Sequence, residues 1–273
     1  MKPLLCSLLV LFAFSLSAQA PVAVPVANEP HHHLVFENSY VRVFRVSVPA
    51  HEATLLHQHD LPYVYVSLGP ADVINAVAGK PEGHLVMTDG QVAYSRGGFA
   101  HIARTDAGSP FDNITVELLH PQGGPHNLCA KIVDGPAGTC PNPESSATPA
   151  RPAPLPSSSE LFETDEFVGE SGVLAPKSKY ADKQPVNSAL LVALEATELK
   201  VKLSGNVTPD YERASTNLKG GEVYWLPAGV KRSITASGKG PARILLLSFK
   251  DSGPASPLTG RTPSKQHPAG AKN

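Results

Sequence analysis

Charge imbalance, cysteine and long apolar runs are all scarce in this sequence of 273 residues. The formal net charge is −1 and no block of basic residues occurs. This balance argues against nucleic acid or an anionic membrane surface as a partner. Sustained helical periodicity is also missing, so long amphipathic helices are not expected. A small molecule is the class of ligand that remains.

The one extended apolar run lies at the N-terminus, between residues 4 and 16, after Lys2 and before Ala18-Gln19-Ala20. A basic start, an apolar run and a small-x-small site are typical of a secretory signal, which predicts cleavage after Ala20. The alternative is an uncleaved anchor, but the run is shorter than the ~18–20 residues that a membrane span needs. We therefore expect a periplasmic or secreted protein that is free of the membrane after cleavage.

Removal of the signal leaves two cysteines, Cys129 and Cys140, separated by a loop that contains Gly and Pro. An exported protein meets an oxidising compartment, and an even number of thiols at short separation favours a disulfide there. The alternative is two free buried thiols.

Short β-like runs separated by Gly, Pro, Asn and Asp fill most of the chain, which predicts an all-β, antiparallel architecture. A Pro-, Ser- and Ala-rich stretch interrupts them and is typical of a linker. The predicted organisation has five parts: a signal (1–20), an N-terminal barrel (30–122), a linker with the disulfide loop (123–159), a C-terminal barrel (160–250) and a disordered tail (251–273).

The two β-rich halves are similar in the order of their apolar runs. YVRVFRVSVP (40–49) and FVGESGVLAP (167–176) both begin with an aromatic residue and Val and end at Pro. YVYVSLGPADV (63–73) has the same pattern as LLVALEATEL (190–199). These patterns favour an internal duplication of one β domain.

Three histidines in the first half have the spacing of a metal site. His57 and His59 are two residues apart, so both point to one face of a strand. His101 follows a Gly-Gly turn at the start of a later run. Three imidazoles from two adjacent strands can ligate one metal and leave positions open for substrate, water or oxygen. The alternative is that hydrogen bonds within the protein satisfy these histidines and no metal is bound.

These residues resemble the motifs of the cupin superfamily. The first cupin motif, G-x5-H-x-H-x(3,4)-E-x6-G, is similar around His57 and His59, with His51 at the first glycine and Tyr63 or Val64 at the glutamate. The second motif, P-x-G-x-x-H, is met at its glycine and histidine by Gly98 and His101.

The second half resembles the second motif more closely, in Pro227-x-Gly229-x-x-Arg232, but Arg replaces the histidine and no first motif is present. The resemblance implies two cupin-type (jelly-roll, or double-stranded β-helix) barrels, of which the second has lost its metal site. It further implies one divalent transition metal (Fe, Mn, Ni or Zn) bound by His57, His59 and His101, as in cupins that use three histidines.

Two functions follow as hypotheses, a metal-dependent oxygenase-type enzyme and a non-catalytic module that binds a sugar or another small molecule. Tyr63 shares the face of His57 and His59, so it either orients a substrate or packs in the barrel mouth. The tract His31-His32-His33 is expected to be flexible and exposed. We also consider a homodimer formed through barrel faces.

Overall fold

The computed structural model describes residues 22–121, 127–128, 159–164, 166–182, 185–194, 197–205 and 215–250. The predicted signal, the Cys129–Cys140 disulfide, most of the linker and the tail lie outside these ranges and stay predictions. Within the described ranges, no helix is long and apolar enough to cross a membrane.

The first half forms a barrel of two five-stranded sheets, as its alternating apolar runs predict. The sheet orders are β1-β4-β9-β6-β7 and β2-β3-β10-β5-β8. The pairing of β1 with β4 is parallel. The strands are β1 (Val24–Pro25), β2 (His32–Glu37), β3 (Val41–Val48), β4 (His57–His59), β5 (Tyr63–Ser67), β6 (Ala71–Val77), β7 (Gly83–Met87), β8 (Val92–Ser95), β9 (Phe99–Arg104) and β10 (Phe111–Leu118), with a 3-10 turn at Val26–Asn28.

The second half repeats this arrangement. Its sheets contain the orders β13-β20-β15-β18 and β14-β19-β16-β17, which correspond one to one with β3-β10-β5-β8 and β4-β9-β6-β7. The strands are β11 (Asn127–Leu128), β12 (Ser159–Glu163), β13 (Phe167–Leu174), β14 (Lys179–Asp182), β15 (Ser188–Ala193), β16 (Glu198–Ser204), β17 (Ser215–Lys219), β18 (Val223–Leu226), β19 (Lys231–Ala236) and β20 (Ala242–Phe249). The all-β prediction is confirmed.

The backbone has the same conformation after β3 and after β13, which supports the duplication. His51 lies three residues beyond β3 and Lys177 three residues beyond β13, and their φ angles are 63° and 60°. This left-handed conformation favours glycine. A glycine, which the cupin motif has at the position of His51, would adopt it without strain.

The two barrels share an apolar core. β15 is buried on both faces: Leu190 and Val192 pack in the cluster between the barrels, whereas Leu191 and Ala193 pack inside the second barrel. Strands with two buried faces read as continuous apolar runs, which accounts for SALLVA. The shared cluster contains Val41, Val43, Val64, Val66, Val92, Tyr94, Ile114, Val116 and Leu118 of the first barrel and Phe162, Phe167, Leu190, Val192, Leu194, Trp225, Leu245, Leu247 and Phe249 of the second.

Candidate metal centre

Strand β4 places two of the predicted ligands on the inner face of the first barrel. His57 and His59 are buried, whereas Gln58 between them is only partly buried. The alternation follows from the two-residue period of a strand. Their ring centroids are 5.0 Å apart.

The third predicted ligand comes from the neighbouring strand. His101 of β9 lies opposite His57 in the antiparallel register, and the two ring centroids are 4.4 Å apart. The preceding Gly97 and Gly98 have φ angles of 65° and 79°, and a Cβ on Gly97 would clash with the carbonyl oxygen of Leu61. The structure therefore brings together the three histidines that the motifs indicate.

A fourth histidine, His32, joins this cluster. It begins strand β2 and is buried, so the expectation of a flexible, exposed His tract is wrong for this residue. One ring nitrogen from each of His32, His57 and His59 lies within 4.8 Å of the others. Pairing of β2 with β3 turns His32 inward opposite Val46, which no local pattern predicts. The only nearby signal is a carboxylate three residues earlier, Glu29.

Hydrogen bonds fix the orientation of three of the rings. His57 donates its Nδ1–H to Leu55 O at 2.9 Å, and His101 donates its Nδ1–H to Asn75 Oδ1 at 2.6 Å. His32 donates its Nδ1–H to Glu29 Oε2 at 2.6 Å. Each donation leaves the Nε2 lone pair of that ring for another partner.

Three buried ring nitrogens have no hydrogen-bond partner among the described residues: His57 Nε2, His59 Nδ1 and His101 Nε2. Buried polar atoms are normally satisfied, so a cluster of three unsatisfied ring nitrogens needs an explanation. A metal ion is a partner that would accept such lone pairs, and the ring nitrogens of His32, His57 and His59 lie close enough together to share one. The donor set fits a transition metal, because imidazole suits such ions and oxygen ligands suit Mg²⁺ or Ca²⁺.

Burial keeps these imidazoles neutral. Desolvation lowers the pKa of His57 to about 4, assisted by the nearby His32. It lowers the pKa of His101 to about 3, with His57 and His32 contributing, and it depresses the pKa of His59 further. Because only neutral imidazole ligates a metal, the cluster is ready to bind one at neutral pH without releasing protons from these three residues.

The Glu29 carboxylate behind His32 is buried but ionised. Burial alone would raise the pKa of Glu29, but hydrogen bonds from His32 and from the backbone N–H groups of Leu55 and His31 lower it. A carboxylate that accepts several hydrogen bonds keeps its charge inside a protein.

The histidines face a cavity of about 50 Å³ inside the barrel. Its polar lining includes Asn75, Asn113 and Thr115, and no Asp, Glu, Lys or Arg side chain of the described residues lines it. Tyr63 lines it as well and stacks on His59, with ring centroids 4.2 Å apart and planes 24° apart. The position of Tyr63 is compatible with both roles considered for it.

The second barrel has an ion pair at the equivalent position. Arg232 of β19 lies opposite Asp182 of β14, as His101 lies opposite His57. The Arg232 side chain is fully buried, and its Nη2 donates to Asp182 Oδ2 at 3.1 Å and its Nη1 to Asn187 O at 3.3 Å. A guanidinium is always charged and is not a metal ligand.

No protein-family model matches the chain, and no curated protein matches it. Solved structures are similar to it at low identity. AerE from Microcystis aeruginosa is 10% identical with a TM-score of 0.55, and the match covers 85% of this chain and 98% of that chain. A mutant of salicylate 1,2-dioxygenase from Pseudoaminobacter salicylatoxidans, solved with gentisate, is 14% identical with a TM-score of 0.51, covering 82% and 76%. A cupin 2 conserved barrel domain protein from Leptotrichia buccalis is 13% identical with a TM-score of 0.45, covering 85% and 100%.

The chain has the cupin fold, with two barrels of equivalent strand order. The likeness to AerE and to salicylate 1,2-dioxygenase extends over both barrels, since it covers more than four fifths of this chain. Identities this low show the fold alone, and fold does not determine activity. Evidence for activity has to come from the histidine cluster and its cavity.

Proposed function

We propose that this protein is a metal-dependent, oxygenase-type enzyme that acts on a small organic substrate in the first barrel. One divalent transition metal, Fe, Mn, Ni or Zn, is held by His57, His59 and His101. The observation that carries the proposal is the set of three buried imidazole nitrogens for which the described residues offer no hydrogen-bond partner, in histidines that line a cavity. Reactivity toward oxygen would be supplied by the bound metal when it is a redox-active ion.

The size of the cavity favours a small substrate. A volume of about 50 Å³ gives room for about three to five waters, or for a molecule with a similarly small number of atoms. The walls beyond the histidines combine apolar side chains such as Val73 and Met87 with the amides and hydroxyl of Asn75, Asn113 and Thr115. These groups can orient a substrate by hydrogen bonds and exclude bulk water from it.

The charge of the site favours a substrate that is itself anionic. Three neutral ligands leave a divalent ion with its full charge, and the described lining contains no carboxylate to offset it. An ionised oxygen or sulfur on the substrate would supply that charge in a medium of low dielectric constant. No Lys or Arg of the described lining competes for the anion, so we expect it to bind at the metal. Tyr63 is the residue that we assign to orienting this substrate.

The second candidate is a non-catalytic binding module with a structural metal. The observation in its favour is that no acidic or basic side chain other than the histidines lines the described cavity. Proton transfer in an enzyme with this lining would have to rely on Tyr63, on Tyr65 or on the substrate itself.

Metal analysis and oxygen uptake test the proposal. Protein purified without chelators should contain one metal per chain, and the metal-free protein loaded with Fe²⁺, Mn²⁺, Ni²⁺ or Zn²⁺ should be assayed for oxygen uptake with small aromatic and thiol substrates. We expect uptake with at least one combination, its loss in His57→Ala, and a raised KM in Tyr63→Phe.

Two results would contradict the enzyme. Absence of stoichiometric metal in every preparation would reject the metal site. A tightly bound metal without oxygen uptake, combined with a ligand that raises the melting temperature, would favour the binding module instead. The matched control is His84→Ala, because His84 is exposed on β7 and pairs with Asp72 outside the cavity.

We also propose that the mature protein acts in the periplasm or outside the cell. The support is the apolar N-terminal run with its small-x-small site and the two remaining cysteines. Intact-mass measurement on protein from the native compartment should give a chain that begins at Pro21 with no free thiol. Two alkylatable thiols without prior reduction would reject the disulfide.

A further inference from the structure

We propose that residues 22–33, which we call the N-terminal strap, complete the metal centre. His32 of the strap is a fourth metal ligand, and Glu29 is a positioning residue that holds His32 directly and His57 through the backbone of Leu55. This inference rests on the proposed function, because it concerns the same metal. It extends the three-histidine site to residues that precede both cupin motifs.

The strap is fixed to the strand that carries two of the ligands. Strand β1 pairs in parallel with β4, with Val24 opposite His57. The Val24 N–H donates to the carbonyl oxygen of Leu56 at 3.0 Å. Val26, 4% exposed, packs in the apolar cluster inside the barrel. Backbone pairing and side-chain burial together place the strap beside the cavity.

Glu29 connects the strap to the ligand strand. Its side chain is buried and accepts three hydrogen bonds: Oε2 from His31 N–H (2.9 Å) and His32 Nδ1–H (2.6 Å), and Oε1 from Leu55 N–H (3.1 Å). The carbonyl group of the same Leu55 accepts the Nδ1–H of His57 at 2.9 Å. One carboxylate therefore sets the orientation of His32 and the backbone that orients His57.

His32 is oriented for ligation. Its Nδ1–H is committed to Glu29, which leaves Nε2 as the lone-pair nitrogen, and its ring centroid lies 4.7 Å from that of His57 and 6.0 Å from that of His59. A histidine whose outer nitrogen is bonded to a carboxylate is a more basic ligand with a fixed tautomer. A histidine with a purely structural role would not need to place its second ring nitrogen beside other imidazoles. His32 does so, next to His57 and His59.

The pair also supplies the negative charge that the first motif of this chain lacks. Tyr63 or Val64 stands where cupins have a motif glutamate, so no motif carboxylate reaches the metal. Glu29 lies one hydrogen bond behind His32 and would offset one unit of the 2+ charge from there. A single additional anion, such as an ionised substrate, would then balance the site.

The test uses the full-length mature protein loaded with Cu²⁺ and Co²⁺ as metal probes, without any activity assay. The variants are His32→Ala and Glu29→Gln. The matched controls are His84→Ala, an exposed histidine, and Glu117→Gln, a buried acid of the same barrel that pairs with Arg42. Nitrogen hyperfine splitting in the Cu²⁺ EPR spectrum reports the number of imidazole ligands, and competition with a chelator gives the affinity.

We expect four nitrogen ligands in the wild type and three in His32→Ala, with affinity for Co²⁺ at least about tenfold lower. Glu29→Gln should lower the affinity about 10- to 100-fold, as expected for loss of an outer partner, and should change the Co²⁺ absorption spectrum. Both control variants should keep the wild-type affinity and spectra.

The possible failures are distinguishable. If the wild type and His32→Ala give the same nitrogen count and the same affinity, the fourth ligand is rejected and the three-histidine proposal stands. Glu29→Gln could lower the melting temperature by the same amount with and without metal and leave the Co²⁺ spectrum unchanged. Glu29 would then be structural, and its positioning role would be rejected. If the wild type binds neither probe, the proposed function and this inference both fail.

Discussion

The two barrels have the same strand order but carry residues of opposite character at one equivalent pair of positions. In the first barrel, His57 and His101 face each other across β4 and β9 as neutral groups with unsatisfied nitrogens. In the second, Asp182 and Arg232 face each other across β14 and β19 as a buried ion pair. The comparison teaches that the fold brings the same two strands together in both barrels. The residue types on those strands decide whether that position holds unsatisfied imidazole nitrogens or a guanidinium paired with a carboxylate.

The interiors of the barrels differ in the same sense. Among the described residues, sixteen buried apolar side chains fill the second barrel, against nine in the first. The first barrel keeps polar side chains and a cavity in the volume that the second fills with Leu, Ile and Val. A filled interior contributes more burial of apolar area to stability, whereas an open one keeps room for a ligand.

The largest effect should come from removing two of the proposed ligands of the first barrel. His57→Ala combined with His101→Ala should reduce bound metal from about one per chain to near zero, because two of the predicted ligand nitrogens are lost. Metal analysis after dialysis measures this. The counterpart double variant, Arg232→Met with Asp182→Asn, should keep its metal. Metal loss in the second-barrel variant would remove the distinction between the barrels.

The next effect concerns stability of the second barrel. Arg232→Ala should lower the free energy of unfolding by about 3–5 kcal/mol, because it leaves Asp182 buried without its cation. Arg232→Met with Asp182→Asn should recover much of this loss, since no charge is then buried. Urea unfolding measures both. The control is Arg104→Ala, which breaks the exposed pair with Glu82 and should change stability far less. If Arg104→Ala lowers the free energy of unfolding as much as Arg232→Ala does, burial is not the cause of the loss.

A graded effect, smaller for each histidine and pH unit than the loss above, should come from acid, through the histidines of the first barrel. The metal-free protein should lose stability as the pH falls from about 6.5 toward 4, because the unfolded chain binds protons at histidines whose pKa burial lowers to about 4 in His57 and about 3 in His101. Each such histidine adds a slope of about 1.4 kcal/mol per pH unit. Urea unfolding at several pH values measures the slope.

Two comparisons sharpen the acid experiment. The double variant His57→Ala with His101→Ala should have a shallower slope than the wild type, since it has fewer groups that take up protons on unfolding. Metal should stay bound below pH 6.5, where an unperturbed histidine would already be protonated. A flat profile between pH 7 and pH 5 in the metal-free wild type would contradict the lowered pKa values.

The smallest effect should come from cutting the connection between the barrels. A protease site inserted in the predicted linker, between residues 141 and 158, should give two fragments that still elute together in gel filtration. The reason is the apolar cluster that both barrels share, in which Val64 and Tyr94 lie with Leu190 and Trp225. Trp225→Ala weakens this shared cluster, so the cleaved fragments of this variant should separate more readily than those of the wild type. Separation of the wild-type fragments under native conditions would show that the barrels are independent.

Much of the fold and three of the four clustered histidines follow from local patterns. A strand has a two-residue period, so VRVFRVSV indicates an inward and an outward face, and His57 and His59 have to share one of them. Gly97 and Gly98 mark a turn because their positive φ angles suit only glycine well. The Arg at position 232 is likewise sufficient to predict that the second barrel lacks a histidine ligand at that site.

The sequence by itself determined which side chains share a face of a strand. It indicated two all-β halves, the His-x-His pair and the histidine after the Gly-Gly turn, because these features depend on backbone periods of a few residues. Only the tertiary structure decided which distant faces meet. It turned His32 inward, placed Glu29 behind it, set Asp182 opposite Arg232 and joined two barrels through one apolar core. Those contacts depend on pairing between segments far apart in the chain, where the free energy comes from burial and hydrogen bonding of the assembled sheets and leaves no repeating trace in the local sequence.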